Sequence, residues 1–538
     1  MATGHDRRVS GSVAVSCLAA LLLWIPAIAA TLPTTLRIGN GNEPESLDPQ
    51  RATGVSAGNV LRDLYEGLTG ISPTGELIPA AAESWRLRED GLEITFRLRA
   101  GLRWSNGDAL TARDFAAGLR RVVDPATASG YARMFGVIAG ATAIADGRQP
   151  ASMLGVEAPD DQTLVIRLDR PAPQLLALLA HPAASPVHRL DLAAATKPGG
   201  RIGNGAYRLQ RWVVQSQLEL VRNPAYWNDA RTTIDRVVYL PTEDLNSELK
   251  RYRADELDVT TSVPATQAAW IRANLGAELH VATYLGSYFY GLNVTQAPFK
   301  GQPGLRRALS MAIDREVIVN KVLNGLAAPA WSFVPPGTRD YTPQVPAWAA
   351  WPRQRQLIEA RRLYAAAGYT EARPLEVELR YNTSDDHKRI AVVVAAMWKQ
   401  ALGVRVRLVN EEWKVFLQNR KLRRVTQAFR NTWIADANDA MDFAALLTRD
   451  HPRNDSGYDN PAYEQWLAAA TSVAQPLARR SALEAAERAM LDDAPIVPIY
   501  FYASKHLVKP RVRGWHDNIL DWHYSKDLRL NCAPSAPC

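Results

Sequence analysis

The chain has 538 residues, too many for one ordinary hydrophobic core, and its length predicts about three or four domain-sized units. Hydrophobic residues make up 47% and charged residues 22%, which excludes wholesale disorder, a small scaffold held by staples and a polytopic membrane protein. The net charge of +8 is spread along the chain, and its densest run, Lys421-Leu422-Arg423-Arg424, lacks the aromatic interleaving of a nucleic-acid platform. A solvated face is the expected reading, with no nucleic-acid partner. The 15 Trp and 18 Tyr against 10 Phe favour rings with a polar handle, as a wet apolar cavity needs, although core packing accounts for the same excess.

In chain order, Arg7 and Arg8 precede an apolar run from Val13 to Ile28 that ends in Ala27-Ile28-Ala29, the layout of an export signal over 1–30. A lipid anchor at Cys17 does not fit, because most of the apolar run follows that cysteine, and no later stretch approaches the ~20 apolar residues that span a bilayer. Cys532 and Cys538 remain, and export makes a small terminal disulfide loop plausible.

A short strand is predicted at 34–38. It is followed by an amphipathic helix through Val60, Leu61, Leu64, Tyr65 and Leu68 with Gly70 as its C-terminal cap. Leu92, Ile94, Phe96 and Leu98 alternate with polar residues as in a half-buried strand, and Thr111 with Asp114 forms a capping box that opens a helix. Leu164, Ile166 and Leu168 give another strand, 205–221 reads as antiparallel strands, and 305–323 fits one long helix. Strand 375–379, helix 387–402 closed by Gly403, and strand 404–408 form a βαβ crossover and hence locally parallel sheet. The fold class is mixed α/β.

Enzyme signatures are nearly absent: there is no P-loop, paired C-x-x-C or H-E-x-x-H. Gly54-Val55-Ser56-Ala57-Gly58 satisfies G-x-S-x-G, but a nucleophile elbow needs a buried strand before it, and 48–53 does not read as one. His516 and His523 lie close to Asp517 and Asp521 at a spacing that matches no common metal site, and a surface tail predicts the same residues. No metal or cofactor is expected.

Ordered motifs run through nearly the whole mature chain. They include Ser46-Leu47-Asp48-Pro49, Leu64-Tyr65-Glu66-Gly67-Leu68, Trp104-Ser105-Asn106-Gly107-Asp108 continuing to Phe115, and Asn223-Pro224-Ala225-Tyr226-Trp227. Asn382-Thr383-Ser384-Asp385 and Ile496-Val497-Pro498-Ile499-Tyr500 complete the series. Together they resemble the extracytoplasmic oligopeptide-binding proteins of ABC importers. The resemblance implies two hinged lobes of a periplasmic-binding-protein fold that close on a ligand, with an additional packed domain. It also implies a soluble periplasmic monomer whose partners are an oligopeptide and an ABC permease. The lobes would be 31–65 with 187–285 and 503–538, and 286–502; the additional domain would be 66–186.

The resemblance further assigns residues. Asp436 would hold the peptide ammonium, and Arg430 and His387 the carboxylate, the histidine either protonated or through water. Gly54 and Val55 would supply one strand and Thr432, Trp433 and Ile434 the other, on either side of an extended peptide, with Thr53 beside the first where relatives can carry an acid, Tyr131 and Tyr502 as phenols near the peptide, and Trp413 and Trp433 as walls of its side-chain pockets. Leu323 stands where relatives often carry a basic residue, two positions after Lys321. A disulfide position of relatives falls on Gly286 and Ile434, where no bridge can form. Competing readings are the same fold on a murein peptide, dipeptide, glutathione or chelated metal, a hydrolase built on Ser56, and an envelope folding helper.

Overall fold

A computed structural model describes residues 33–531 apart from 53, 191–200, 424, 425, 436, 452 and 474, and without the side chains of 413 and 414. The expected export segment, Thr53, Arg424, Asp436, Cys532 and Cys538 lie outside the described residues.

The first lobe is built on a four-stranded sheet in the order Thr35–Gly39, Arg236–Leu240, Gln217–Arg222, Tyr207–Val213. Its outer strand Thr35–Gly39 runs parallel to Arg236–Leu240 and the other pairs are antiparallel, so the predicted 205–221 hairpin is present. Leu36, Leu218, Leu220 and Val237 bury one face of this sheet against Val60, Leu61 and Leu64 of helix Val55–Leu64. That helix is shorter than its apolar pattern suggested. Tyr65 is already extended, and Gly70 belongs to strand Thr69–Ile71 instead of capping a helix. A tertiary contact sets this exit: a Cβ on Gly67 would lie 2.1 Å from the Leu179 carbonyl oxygen, so the chain leaves the helix to pass close to another backbone.

The additional domain carries a four-stranded antiparallel sheet, Ala82–Leu87, Glu93–Leu98, Thr163–Arg167 and Val156–Glu157 in that order. Ile94, Phe96 and Leu98 point into a core that also holds Trp104, Phe115 and Phe135. Helix Ala112–Val123 closes this core, and its Thr111/Asp114 capping box is formed as the sequence predicts.

The second lobe contains a six-stranded mixed sheet in the order Ala327–Pro329, Ile496–Leu507, Leu279–Leu292, Ala428–Ile434, Glu376–Asn382, Arg405–Glu411. Glu376–Asn382 and Arg405–Glu411 are parallel, bridged by helix Asp385–Leu402 with Gly403 left-handed at φ 74°, which is the predicted crossover. The expected single helix over 305–323 is broken. It ends at Ala312, and Asp314 accepts the Val317 N–H to cap a new turn. Arg315 is buried between the two pieces and donates to the Ser310 carbonyl (3.1 Å) and to those of Ala330 and Pro498 (2.7 and 2.9 Å). Carbonyls at a helix end need donors, and this guanidinium supplies one.

Strands Leu279–Leu292 and Ile496–Leu507 pair along most of their length and serve both lobes. Leu507 packs with Leu240, Leu249 and Leu257 of the first lobe, whereas Tyr288, Tyr290, Val497 and Ile499 belong to the core of the second. Between these stretches the register shifts: Thr283 faces Ala503, and the next pair in register is Ser287 with Phe501. Such an irregularity disrupts the ladder locally and bends the strand.

Candidate ligand cleft

Two groups of side chains meet between the lobes. In the first, Gly54 and Val55 at the start of helix Val55–Leu64 line a cleft of about 110 Å3 with Tyr131, His181, Ile434 and Trp522. Val55 and Ile434 are 65% and 42% exposed, so each lobe presents an apolar side chain to this space without burying it. The Gly54 N–H donates to Glu45 Oε1 at 3.1 Å. Ser56 sits in the first helical turn, and the described residues 40–52 before it form no strand, so they do not build the strained elbow of a hydrolase.

Of the floor of this cleft only Tyr131 was expected, from the family resemblance; His181, Trp522 and Arg62 were not. Tyr131 and His181 have ring centroids 4.6 Å apart, His181 and Trp522 6.0 Å, and the Arg62 guanidinium lies 5.1 Å from the Trp522 ring. His181 Nδ1 accepts the Ala183 N–H (3.1 Å), and burial, with Arg62 adding repulsion, holds the imidazole down at about 3. It is a neutral wall. These residues come from distant segments, and no local motif marks them.

The second group surrounds strand Ala428–Ile434. Side chains alternate along a strand, so Arg430, Thr432 and Ile434 share one face and Trp433 takes the other. Arg430 donates to Tyr502 Oη (3.3 Å) and lies 5.2 Å above the Tyr288 ring, which is 5.6 Å from His387. Arg430 Nε and His387 Nδ1 are both buried without a hydrogen-bond partner. Burial, then the charge of Arg430, pushes the His387 imidazole down to about 4, so it is neutral near pH 7. Thr432 Oγ1 donates to the Ser287 carbonyl (3.2 Å). Trp433 faces away: its indole N–H donates to Asp442 (3.2 Å) and its ring meets His451 edge-on at 6.2 Å.

Strand Ala428–Ile434 is paired along one edge with Leu279–Leu292, but along the other only Ala428 and Phe429 have partners, in Glu376–Asn382. Beyond Phe429 that second edge has no paired strand among the described residues. Trp413 opens helix Trp413–Leu422. Leu323 is buried in the core of the second lobe, whereas Lys321 is exposed.

A larger cavity, about 370 Å3, lies between the first lobe and the additional domain. Its acid Glu66 is already held by Lys526 (2.9 Å) and the Trp227 indole (2.6 Å), and none of the residues assigned by resemblance lines it. The tail also differs from its sequence reading: His516 is exposed, while Asp521 and His523 turn inward to meet His506. No described helix is long and apolar enough to cross a membrane.

Residues 76–455 match the family of bacterial extracellular solute-binding proteins, family 5 Middle. The chain is 39% identical over 534 residues to the periplasmic oligopeptide-binding protein OppA of Escherichia coli, covering 96% of this chain and 98% of that one. It is 37% identical over 535 residues to the periplasmic murein peptide-binding protein MppA of the same organism, covering 96% and 99%. The unliganded open form of an MppA murein tripeptide binding protein superposes with a TM-score of 0.82 at 36% identity, covering 93% of this chain and 99% of that one. With its two lobes, additional domain and cleft between them, the chain belongs to the bacterial extracellular solute-binding proteins of family 5, a family of substrate-binding transport proteins.

Proposed function

We propose that this protein captures oligopeptides in the periplasm, as extended strands between its lobes, and delivers them to an ABC permease without altering them. The observation that carries the reading is the pair of unsatisfied donors and acceptors, Arg430 Nε and His387 Nδ1, beside a strand with an open edge. Burying polar groups without partners is costly, so a site that does so is built for something that supplies them. A peptide carboxylate answers Arg430, and a neutral His387 reaches it as a donor or through water. Backbone pairing along the open edge gives affinity without sequence preference. Asp436 holds the ammonium, and Thr53, Trp413, Tyr131 and Tyr502 shape the side-chain space. From Ile434 to Arg430 is four strand steps, ~13 Å, so ligands of about four residues fill the span.

Closure bends the chain at the register break between Thr283 and Ser287. A ligand touching both Val55 and Ile434 stabilises the closed state by its differential affinity, and that state is what a permease reads.

Calorimetry on refolded, ligand-stripped mature protein tests this with peptides of increasing length, with free or acetylated N-termini, and with Asp436→Ala. Tight binding lost on acetylation and on substitution is expected. Equal binding after acetylation removes Asp436 from its role. The similarity to MppA favours murein peptides as a second ligand class, and a murein tripeptide in the same series separates the two.

A further inference from the structure

His506, Asp521 and His523 come together from two neighbouring segments, the end of a strand and the tail 15 residues beyond it. His506 lies near the end of crossing strand Ile496–Leu507, and the two others follow a turn in which Asp521 is left-handed at φ 55°. His506 Nε2 is 2.9 Å and His523 Nε2 3.1 Å from the same atom, Asp521 Oδ1. His506 Nδ1 is 2.8 Å from the Thr260 carbonyl oxygen. A carbonyl only accepts, so that nitrogen carries the proton, and the lone pair of a neutral ring then points from Nε2 at a carboxylate oxygen. This arrangement is stable only if a positive charge sits there, as a second proton or as a cation.

We propose that His506 Nε2, His523 Nε2 and Asp521 form a site for a divalent ion of the zinc class. Two imidazoles and one carboxylate are a donor set this class favours, and a ligating histidine whose other N–H is held by a backbone carbonyl is the usual supporting contact. The three ligand atoms lie within 4.8 Å of one another. Zinc bonds of ~2.0–2.1 Å at tetrahedral angles separate ligands by about 3.3 Å, so each histidine must move from Asp521 Oδ1 by only a few tenths of an ångström.

The surroundings supply the rest of a site. The Trp515 ring stacks on His523 at 3.7 Å and meets His506 edge-on at 5.2 Å, fixing both imidazoles. A small cavity adjoins the three residues and is walled by Val55, Thr260 and Thr261, leaving room for a fourth ligand such as water. Behind Thr261, the buried carboxyl of Glu248 accepts the Thr261 N–H (3.0 Å), and its second oxygen has no hydrogen-bond partner among the described residues. Val55 and Asp521 also line the ligand cleft. A bound ion therefore braces the crossing strand against the cleft wall. This role does not depend on what the cleft binds.

The test is calorimetric titration of ZnCl2 into tag-free, chelator-treated mature protein, with Co2+ absorption as a readout of coordination. One ion per chain is expected. Affinity should fall on the order of tenfold or more in His523→Ala and in Asp521→Asn, the latter chosen because asparagine tolerates a left-handed backbone. Circular dichroism establishes that each variant is folded. A Cys532→Ser/Cys538→Ser variant is expected to bind as before. Absence of saturable binding, unchanged affinity in both folded site variants, or loss in the cysteine variant overturns the proposal.

Discussion

Gly286 and Ile434 stand directly opposite one another on adjacent antiparallel strands. The Ala435 N–H donates to the Leu285 carbonyl (2.9 Å), which makes Gly286/Ile434 the neighbouring pair without mutual hydrogen bonds, where side chains approach closest. A Cβ on Gly286 would lie 3.2 Å from Ile434 Cγ1, whose place a cysteine sulfur would take, and 3.2 Å from Tyr502 Cδ2, a ring edge that must give by a few tenths of an ångström. The double variant Gly286→Cys/Ile434→Cys is therefore expected to oxidise spontaneously, since Cα atoms ~4.5 Å apart fall within disulfide range. Stabilisation by about 2–4 kcal/mol is expected, read as a higher Tm in the oxidised than in the reduced form. Free thiols persisting under oxidising conditions would refute this geometry.

Arg430 has a planar fork, and its second nitrogen is already engaged by Tyr502. Arg430→Lys keeps the charge and loses the fork, so the affinity for short peptides should fall by about 2 kcal/mol, roughly 30-fold. Peptide amidation should weaken wild type comparably and cost little in Arg430→Gln. A double-mutant cycle showing the two losses to be additive would mean that Arg430 does not meet the carboxylate.

His387 predicts a proton linkage. Its value is about 4, below the ordinary histidine range because of burial and then Arg430. A carboxylate placed between them offsets that repulsion and favours the imidazolium, raising the bound-state value. Binding then takes up protons, and affinity rises as pH falls from the ordinary histidine value of ~6.5 toward about 4. Calorimetry in buffers of different ionisation enthalpy measures the uptake. It should vanish in His387→Gln, and identical uptake in the variant would assign the proton elsewhere.

Asp63 gives a stability prediction of opposite sense to that of a salt-bridged acid. It is buried beneath the first lobe, accepting the Tyr239 hydroxyl (2.8 Å) and the Ser525 N–H (3.0 Å), and burial pushes its carboxyl up to about 6. The folded state holds this proton more tightly than the unfolded chain, whose value is ~3.9. Its contribution is thus fully present below ~4 and is lost as pH rises through about 6. Against Asp63→Asn, wild type should lose on the order of 3 kcal/mol across that window in urea unfolding, given ~1.4 kcal/mol per pKa unit. A pH-independent difference would show that Asp63 is ionised throughout.

What the sequence revealed was local. The Thr111/Asp114 box, the alternation at Ile94, Phe96 and Leu98, and the crossover closed by Gly403 each depend on residues within a few positions, and all three are formed. The helix break at Asp314 was hidden because apolar spacing continues through it, and its cause, Arg315, bonds to carbonyls on other segments. For the same reason His523 looked like a neighbour of His516, when it shares Asp521 with His506 of strand Ile496–Leu507. The cleft residues Gly54, Val55 and Ile434 came from family resemblance, since no periodicity marks an exposed wall. Arg62, His181 and Trp522, equally part of it, carried no signal at all.

The contact between Glu45 and the Gly54 amide has a kinetic meaning. This backbone donor is satisfied by an internal carboxylate. On the peptide-binding reading proposed above, that carboxylate is a placeholder: an arriving peptide carbonyl would exchange with it and not fill a void, so the net gain per contact would be small in both directions. A receptor that must surrender its cargo as readily as it takes it up is served by such reversible substitution, because the placeholder returns as the ligand departs.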